Sequence, residues 1–562
     1  MLGGLKSRLP QRQALPGILD ARRFLLALTP GSHQYIDRNP FGVLSTILED
    51  TLKRTLFVIM WLALYAYSPL SLLAQENAPV RMITLRECVE TAFRSNIDIA
   101  VSQAEKEIGA LGVPIEEAAF LPTFSGELNA SKSVSPSGSV LDNSASLDQR
   151  SLNFNLGVTE LLSAGTSFSL VQENQRQESS SAVSLLTPQY VTGLTLSAKQ
   201  PLLKNRGKAV TEAPLRIARA GAEEKTEEWK TKVMDIVSAV RTAFLSFVAV
   251  VREVEVRRTA VELAERVVVH TDARIQAGAA ASMDLLPAES AVATRREELL
   301  RAEASARSAE VDLKSLLGVR SSRDWDERFV PVPLQEDIPP PGDKENFEEA
   351  IRRRPEVAAM NARRTQAEIQ EVATRNRTLP ALDLTVSAGI AGLSGTPNPD
   401  PLFGGNAEVF SGNYRDSVDR MFSGRYYNWL VGLKTELPWG FRREKAEWAR
   451  AKVALRQQRL SEDAVFLRIR VEVQKGRLDL ESALARITAT RAATVAAGKK
   501  LEAEERKLSL GRSTTVEVLR FQQDVSEAKL AEVRAQTDAY NAQTRLWRAV
   551  GTTLEQEGIE LR

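Results

Sequence analysis

Cysteine and histidine are nearly missing from this sequence of 562 residues: there is one cysteine, Cys88, and two histidines, His33 and His270. A single cysteine excludes an intramolecular disulfide. So few histidines leave a histidine-based metal cage or a Ser/His/Asp triad poorly supplied. Aromatic residues are scarce too, at 6%, which suits long packed helices better than a globular enzyme core. An excess of either charge is also lacking. The 74 basic and 72 acidic residues leave a net charge of +2, and that balance gives no sign of a nucleic-acid partner. No cluster has catalytic spacing, so neither an enzyme nor a cofactor is expected. Cys88, in "TLRECVETAF", reads as a small buried residue, and His270 as a helix-surface one.

One long apolar run is present. Lys53 and Arg54 precede "TLFVIMWLALYAYSPLSLLA" (55–74), which ends on the small residue Ala74. This reads as a secretory signal, with Pro69 near its end favouring cleavage over a continuing membrane helix. A signal anchor is the rival, since 20 mostly apolar residues can span a bilayer. Residues 1–54 form an atypical extension before it. No lipid-acceptor cysteine stands at the cleavage point.

The remainder divides into two copies of one plan. "CVETAFRSNIDIAVSQAE" (88–105) aligns with "NFEEAIRRRPEVAAMNAR" (346–363) at an offset of 258, and Leu121-Pro122 falls on Leu379-Pro380 at the same offset. "RIQAGAAASMDLL" (274–286) and "KLSLGRSTTVEVL" (507–519) are helix-breaks 233 residues apart. The first repeat is placed at 75–330, a Pro-rich linker at 331–345, the second repeat at 346–552 and a tail at 553–562. Each repeat reads helix, strands, long helix, tip turn, helix.

Alternation of period two marks the strands. In "SLNFNLGVTE" (151–160) Leu152, Phe154, Leu156 and Val158 share a face; in "YNWLVGLKTEL" (427–437) Tyr427, Trp429, Val431 and Leu433 do. Four candidate strands lie in the first repeat, near 121–131, 150–160, 165–174 and 189–199. The second repeat holds strands within 381–437, and 131–149, 176–188 and 394–425 read as loops. Alternation does not by itself separate a soluble sheet from tilted transmembrane strands of about 10 residues.

Long helices are expected over about 205–276 and 441–508, with tip turns at 277–283 and 509–514. Shorter helices are expected over 84–118, 283–318, 346–378 and 515–551. The seam Ile236, Val240, Ala243, Phe247, Val250, Val254, Val261, Ala264 and Val268 has 3–4 spacing interrupted only at Arg257. The two short helices flanking each long one match its length when stacked end to end. Two classes of protein fit such a plan: a channel with a helical wall, or a periplasmic coiled-coil adaptor or envelope scaffold. The duplication favours the channel, because an adaptor is expected to carry one central hairpin.

"ITLRECVETAFRSNIDIAVSQAE", the "FLP" and "TLP" leads into the strands, "QPLLKNRG" and the two turn motifs resemble the TolC-like outer-membrane efflux family over nearly all of 83–552. The resemblance implies an α+β membrane protein: a homotrimeric β-barrel in the outer membrane continued by a periplasmic α-helical barrel. It implies the exit duct of a tripartite efflux pump or type I secretion system, gated at its periplasmic end. The partners implied are a periplasmic adaptor, an inner-membrane transporter of the RND, ABC or MFS type, and outer-membrane lipid. The family norm is four strands per protomer and twelve in the trimer, from which four strands in one repeat depart. Carried over, Gly278 and Gly511 are the tip turns an adaptor meets, and Asp284 and Glu517 the acidic aperture positions. Arg512 and Ser513 stand where a polar link to the neighbouring coil is expected. Arg520 replaces a second carboxylate and offsets Glu517. Tyr426, Tyr427 and Trp429 are candidates for an aromatic membrane-interface girdle. From the residues alone, Thr514-Thr515-Val516-Glu517 is also a capping box, so Glu517 reads equally as a helix cap.

Overall fold

Asn96 shows how the first repeat departs from an unbroken helix. The chain enters through β1 (Val80–Ile83) and forms α1 (Leu85–Ser95) and α2 (Ile97–Glu117) in place of one helix over 84–118. The Asn96 carboxamide accepts the Asp98 and Ile99 N–H groups and donates to the Leu316 carbonyl at 2.7 Å. One residue thus ends α1, caps α2 and ties both to a remote helix. The structure, a computed structural model, describes residues 80–138, 145–334, 337–343, 345–399 and 406–561. The expected extension 1–54 and signal 55–74 lie outside the described residues.

Strands β2 (Thr123–Pro136), β3 (Ser146–Leu161), β4 (Ser167–Ser179) and β5 (Leu186–Pro201) follow, longer than the alternation suggested. After a single turn at Lys208–Thr211 comes α3 (Ala213–Gln276), 64 residues or about 96 Å long, then α4 (Leu285–Leu317) and β6 (Arg328–Pro331), which pairs in parallel with β1. The second repeat gives α5 (Phe347–Arg353), α6 (Pro355–Arg377), β7 (Ala381–Pro397), α7 (Tyr414–Phe422), β8 (Tyr427–Glu436), α8 (Arg442–Ser509) and α9 (Thr515–Val550). The helix expected over 346–378 divides at Arg354-Pro355, since proline lacks an N–H and disfavours a helical residue before it.

The short helices stack along the long ones. Lys232–Asp98 at 2.9 Å and Arg219–Glu117 at 2.7 Å join α2 to one half of α3. Arg257–Glu298 at 2.6 Å and Arg296–Glu265 at 2.5 Å join α4 to the other half. In the second repeat, Arg364–Glu462 at 3.0 Å joins α6 to α8, and Arg486–Asp538 at 3.0 Å joins α9 to α8. Four helical columns result. Val233, Val237, Val240, Phe244 and Phe247 of α3 bury against Val89, Ala92 and Leu313. Ile469, Val473 and Leu480 of α8 bury against Ala539, Ala542 and Leu546. A Cβ on Gly476 would stand 3.3 Å from Leu546 Cα, so the small residues let two backbones approach closely. Thr553–Gln556 is helical, and Arg241, 2% exposed, bonds to Glu557 and donates to Thr544 at 3.0 Å.

The six long strands form one antiparallel sheet in the order β2-β3-β4-β5-β7-β8. Register places Phe124, Val158, Leu170, Leu196, Ala388 and Trp429 on one line across it. That face is apolar, with Leu128, Phe154, Leu194, Val386 and Val431 beside them. The opposite face carries Ser125, Asn129, Asn153, Gln175, Thr195 and Ser387. The span 394–425 is not wholly a loop: α7 folds back onto the apolar face beyond Ile390. There Ser417 Oγ meets Thr192 Oγ1 at 2.9 Å, Tyr414 donates to Asn174 at 2.7 Å, and Arg420 donates to the Leu393 carbonyl at 2.9 Å. Gly392 makes room for it, because a Cβ there would fall 1.9 Å from the Ser417 carbonyl oxygen.

Candidate functional site at the two helical tips

The two turns lie at the ends of α3 and α8 remote from the sheet, and they are built alike. Gly278 has φ +70° and Gly511 φ +71°. At the first, Ala279 N–H reaches the Arg274 carbonyl at 2.8 Å and Gly278 N–H the Ile275 carbonyl at 3.0 Å. At the second, Arg512 N–H reaches Lys507 at 2.9 Å and Gly511 N–H reaches Leu508 at 3.0 Å. Both are Schellman ends, which require a left-handed residue and so select glycine.

Beyond the glycines the two turns diverge. Asp284 accepts the Ala281 N–H at 3.2 Å and closes a short turn at Ser282–Asp284 before α4. Thr514 caps α9 by accepting the Glu517 N–H at 3.3 Å. The Glu517 carboxylate faces Arg520 at 3.7 Å, both partly exposed, and no hydrogen bond returns from it to the Thr514 N–H among the described residues. Half of the capping box is therefore made, and the acid is balanced by Arg520.

Ser513 donates to Glu504 of α8 at 2.6 Å, and Lys507 meets the other oxygen of that carboxylate at 2.9 Å. The bond from Lys507, then that from Ser513, holds the Glu504 carboxyl below the usual range, and the charge of Lys507 adds to this against a small opposing effect of burial. The polar link of Ser513 thus closes its own hairpin. Arg512 is exposed and makes no side-chain bond among the described residues.

Links between the two hairpins centre on Arg295, which the sequence does not single out. Arg295 of α4, 4% exposed, donates to Gln522 at 3.0 Å, to the Leu519 carbonyl at 2.9 Å and to the Ala260 carbonyl at 3.1 Å. Burial lowers its pKa, with the charge of Glu298 opposing. Thr271 and Thr515 approach to 3.4 Å. Val267, Ala288, Val518 and Leu519 form a small core beneath. Apolar side chains also face outward: Met283 and Leu510 are 76% and 71% exposed, with Leu286 and Val516 beside them.

At the sheet, Tyr427 and Trp429 stand exposed on the apolar face, while Tyr426 leans on Phe410 with ring centroids 6.2 Å apart. Trp439, fully exposed just past β8, was not anticipated. Its signal was available, as it follows Trp429 by the length of one strand. From Tyr427 to Leu437 the chain spans about 33 Å, or about 25 Å once tilted, the height of a bilayer's apolar band.

The model of the family described as outer membrane efflux protein matches residues 89–319 and 346–552, one segment in each repeat. No curated protein sequence matches. Among solved structures, the outer-membrane channel OprN is 15% identical, with a TM-score of 0.61 over 83% of this chain and 90% of that one. The CmeC outer membrane channel of Campylobacter jejuni is 14% identical, with a TM-score of 0.60 over 85% and 90%. The MtrE outer membrane channel of Neisseria gonorrhoeae, in its open state, is 16% identical, with a TM-score of 0.58 over 84% and 89%. With a duplicated helical wall, a sheet of one apolar and one polar face, and a family match in both repeats, this chain belongs to the outer membrane efflux protein family and is a TolC-type outer-membrane efflux channel, with its helices in the periplasm.

Proposed function

We propose that the protein works as a homotrimeric exit duct whose tip turns are both gate and docking surface. A periplasmic adaptor would join it to an inner-membrane transporter of the RND, ABC or MFS type, in an efflux pump or a type I secretion system. The observation that carries this reading is the pairing of two glycine-ended tips with outward apolar residues. Met283, Leu286, Leu510 and Val516 offer an adaptor hairpin an apolar seat next to Gly278 and Gly511. Exposed Arg512 would reach toward a neighbouring protomer, while the tie from Ser513 to Glu504 supports the shape of its turn. Asp284 and Glu517 would ring the aperture. With Arg520 beside each Glu517, the second ring is charge-balanced and is not a strong cation site. Tyr427, Trp429 and Tyr426 would mark the outer membrane interface, and Trp439 the periplasmic one.

Opening would loosen the coils at the tips, a change between discrete packings. Planar-bilayer recordings test the gate. Arg512→Ala and Glu517→Ala should each raise single-channel conductance above the native level. Unchanged conductance in both variants removes the gate from these residues.

A further inference from the structure

We propose that all six strands of each protomer stand in the membrane wall, so that three copies close one barrel of eighteen strands through β2–β8 seams; this rests on the trimer proposed above. The family norm is twelve strands, and the four candidate strands of the first repeat left the number in this chain open. The β2–β3 hairpin has the two faces of a wall strand pair. Phe124 and Leu128, 80% and 69% exposed, lie with Phe154 and Leu156 on one side. Ser125, Glu127, Asn129 and Asn153 lie on the other. Outside the wall such a hairpin would put its polar face in lipid or its apolar face in water, and each is costly. Within the wall both faces meet their own solvent.

The edges agree. Among the described residues β2 pairs only with β3, and β8 only with β7, which leaves one open edge on each. Lipid-exposed strands cannot leave an edge of N–H and C=O groups unpaired, so closure is required. Every pairing across the sheet is antiparallel, so β8 runs opposite to β2. The β2 strand of one copy can therefore join the β8 strand of the next as an antiparallel pair. Apolar stays outside and polar inside around the whole ring.

Width depends on strand number. With strands about 4.8 Å apart and tilted about 40°, eighteen of them enclose a ring about 36 Å across at the backbone, against about 24 Å for twelve. Four helical columns from each of three copies, roughly 8–10 Å apart, enclose a ring of about 30–38 Å. The larger barrel continues the helical tunnel without a step inward, so the tips and not the membrane segment set the narrowest point. Its lumen is lined mainly by neutral Ser, Thr, Asn and Gln side chains, which suits passage of hydrophilic cargo without strong retention.

Electron cryomicroscopy of the full-length protein in lipid nanodiscs tests this. The expected image has three copies and eighteen strand cross-sections in the bilayer, with β2 of each copy beside β8 of its neighbour. Three copies with twelve strands, the β2–β3 hairpin lying off the ring, overturn the wide barrel and leave the proposed duct standing. Any other copy number overturns the trimer, and the barrel with it.

Discussion

Ser513 donates its hydroxyl to Glu504 at 2.6 Å, across the turn that Gly511 opens. The bond ties the residue before the α9 cap to the last turns of α8, and Lys507 fastens the same carboxylate from the other side. The tip is thus shaped by three side chains of one hairpin. Glu504→Ala should free the turn: backbone amides over 505–514 are expected to exchange hydrogen faster, by about tenfold, with little change over 230–250. Equal exchange in native and variant protein would show that the tie does not hold the turn. Because the Glu504 carboxyl is depressed, its stabilisation is present above the ordinary carboxylate range and is lost as pH falls through its lowered value. Protection of the native tip amides, taken relative to the intrinsic exchange rate at each pH, should therefore fall in acid and stay flat through neutral pH.

Gly278 and Gly511 isolate a purely conformational cost. A Cβ at either would meet no atom within 4 Å, yet both backbones sit at φ near +70°. Gly278→Ala and Gly511→Ala should each destabilise the protein by about 1 kcal/mol, through strain alone. The double variant should lose about the sum, since the sites share no contact. Thermal unfolding of the three variants checks this; a loss several-fold larger at either site would mean that glycine serves packing there.

Gly392 poses the opposite case. Its backbone is ordinary, but an added Cβ would collide with the Ser417 carbonyl oxygen at 1.9 Å and with the Met421 nitrogen at 2.7 Å. Gly392→Ala should push α7 off the sheet and break the bonds from Arg420 to Leu393 and Ser411. Limited trypsin digestion should then cut at Arg420 in the variant and spare the native chain. Gly432→Ala, whose added carbon meets only the Leu430 side chain at 3.5 Å, is the control and should resist like the native protein. Resistance in Gly392→Ala would mean that α7 tolerates displacement.

Much of this architecture was legible because its signals are local. A residue at positive φ favours glycine, so both tips could be placed to within a residue or two. A half-buried strand must alternate, so six strands could be located. Asn96, Arg354-Pro355 and the Asn413–Asp416 capping box of α7 also left local marks. The first two were masked by apolar spacing that runs on across each break, and the third by a polar, glycine-rich surround. Arg295 left none, because its acceptors lie on two helices that meet it only in the folded chain. Leu286 and Leu519 occupy matched positions 233 residues apart, yet Leu286 is 63% exposed and Leu519 is 7% exposed. A duplicated sequence repeats local structure, while burial depends on which neighbours each copy acquires.

Glu356 gives the clearest pH dependence. It bonds Arg354 at 3.0 Å and Arg548 at 2.6 Å, beneath the break between α5 and α6. Burial alone would raise its carboxyl pKa, but the bond from Arg354 and the charges of Arg548 and Arg354 outweigh it and bring the value to about 2. A depressed carboxyl stabilises the fold fully above its unfolded value, 4.5, and loses that contribution as pH falls toward 2. The contribution at neutral pH is roughly 3 kcal/mol per chain. Glu356→Gln should therefore unfold at lower temperature than the native protein at pH 7, with the gap narrowing steadily between pH 5 and pH 3. Two unfolding curves that stay parallel across that range would show that the carboxylate's charge is not what holds Arg354 and Arg548 together.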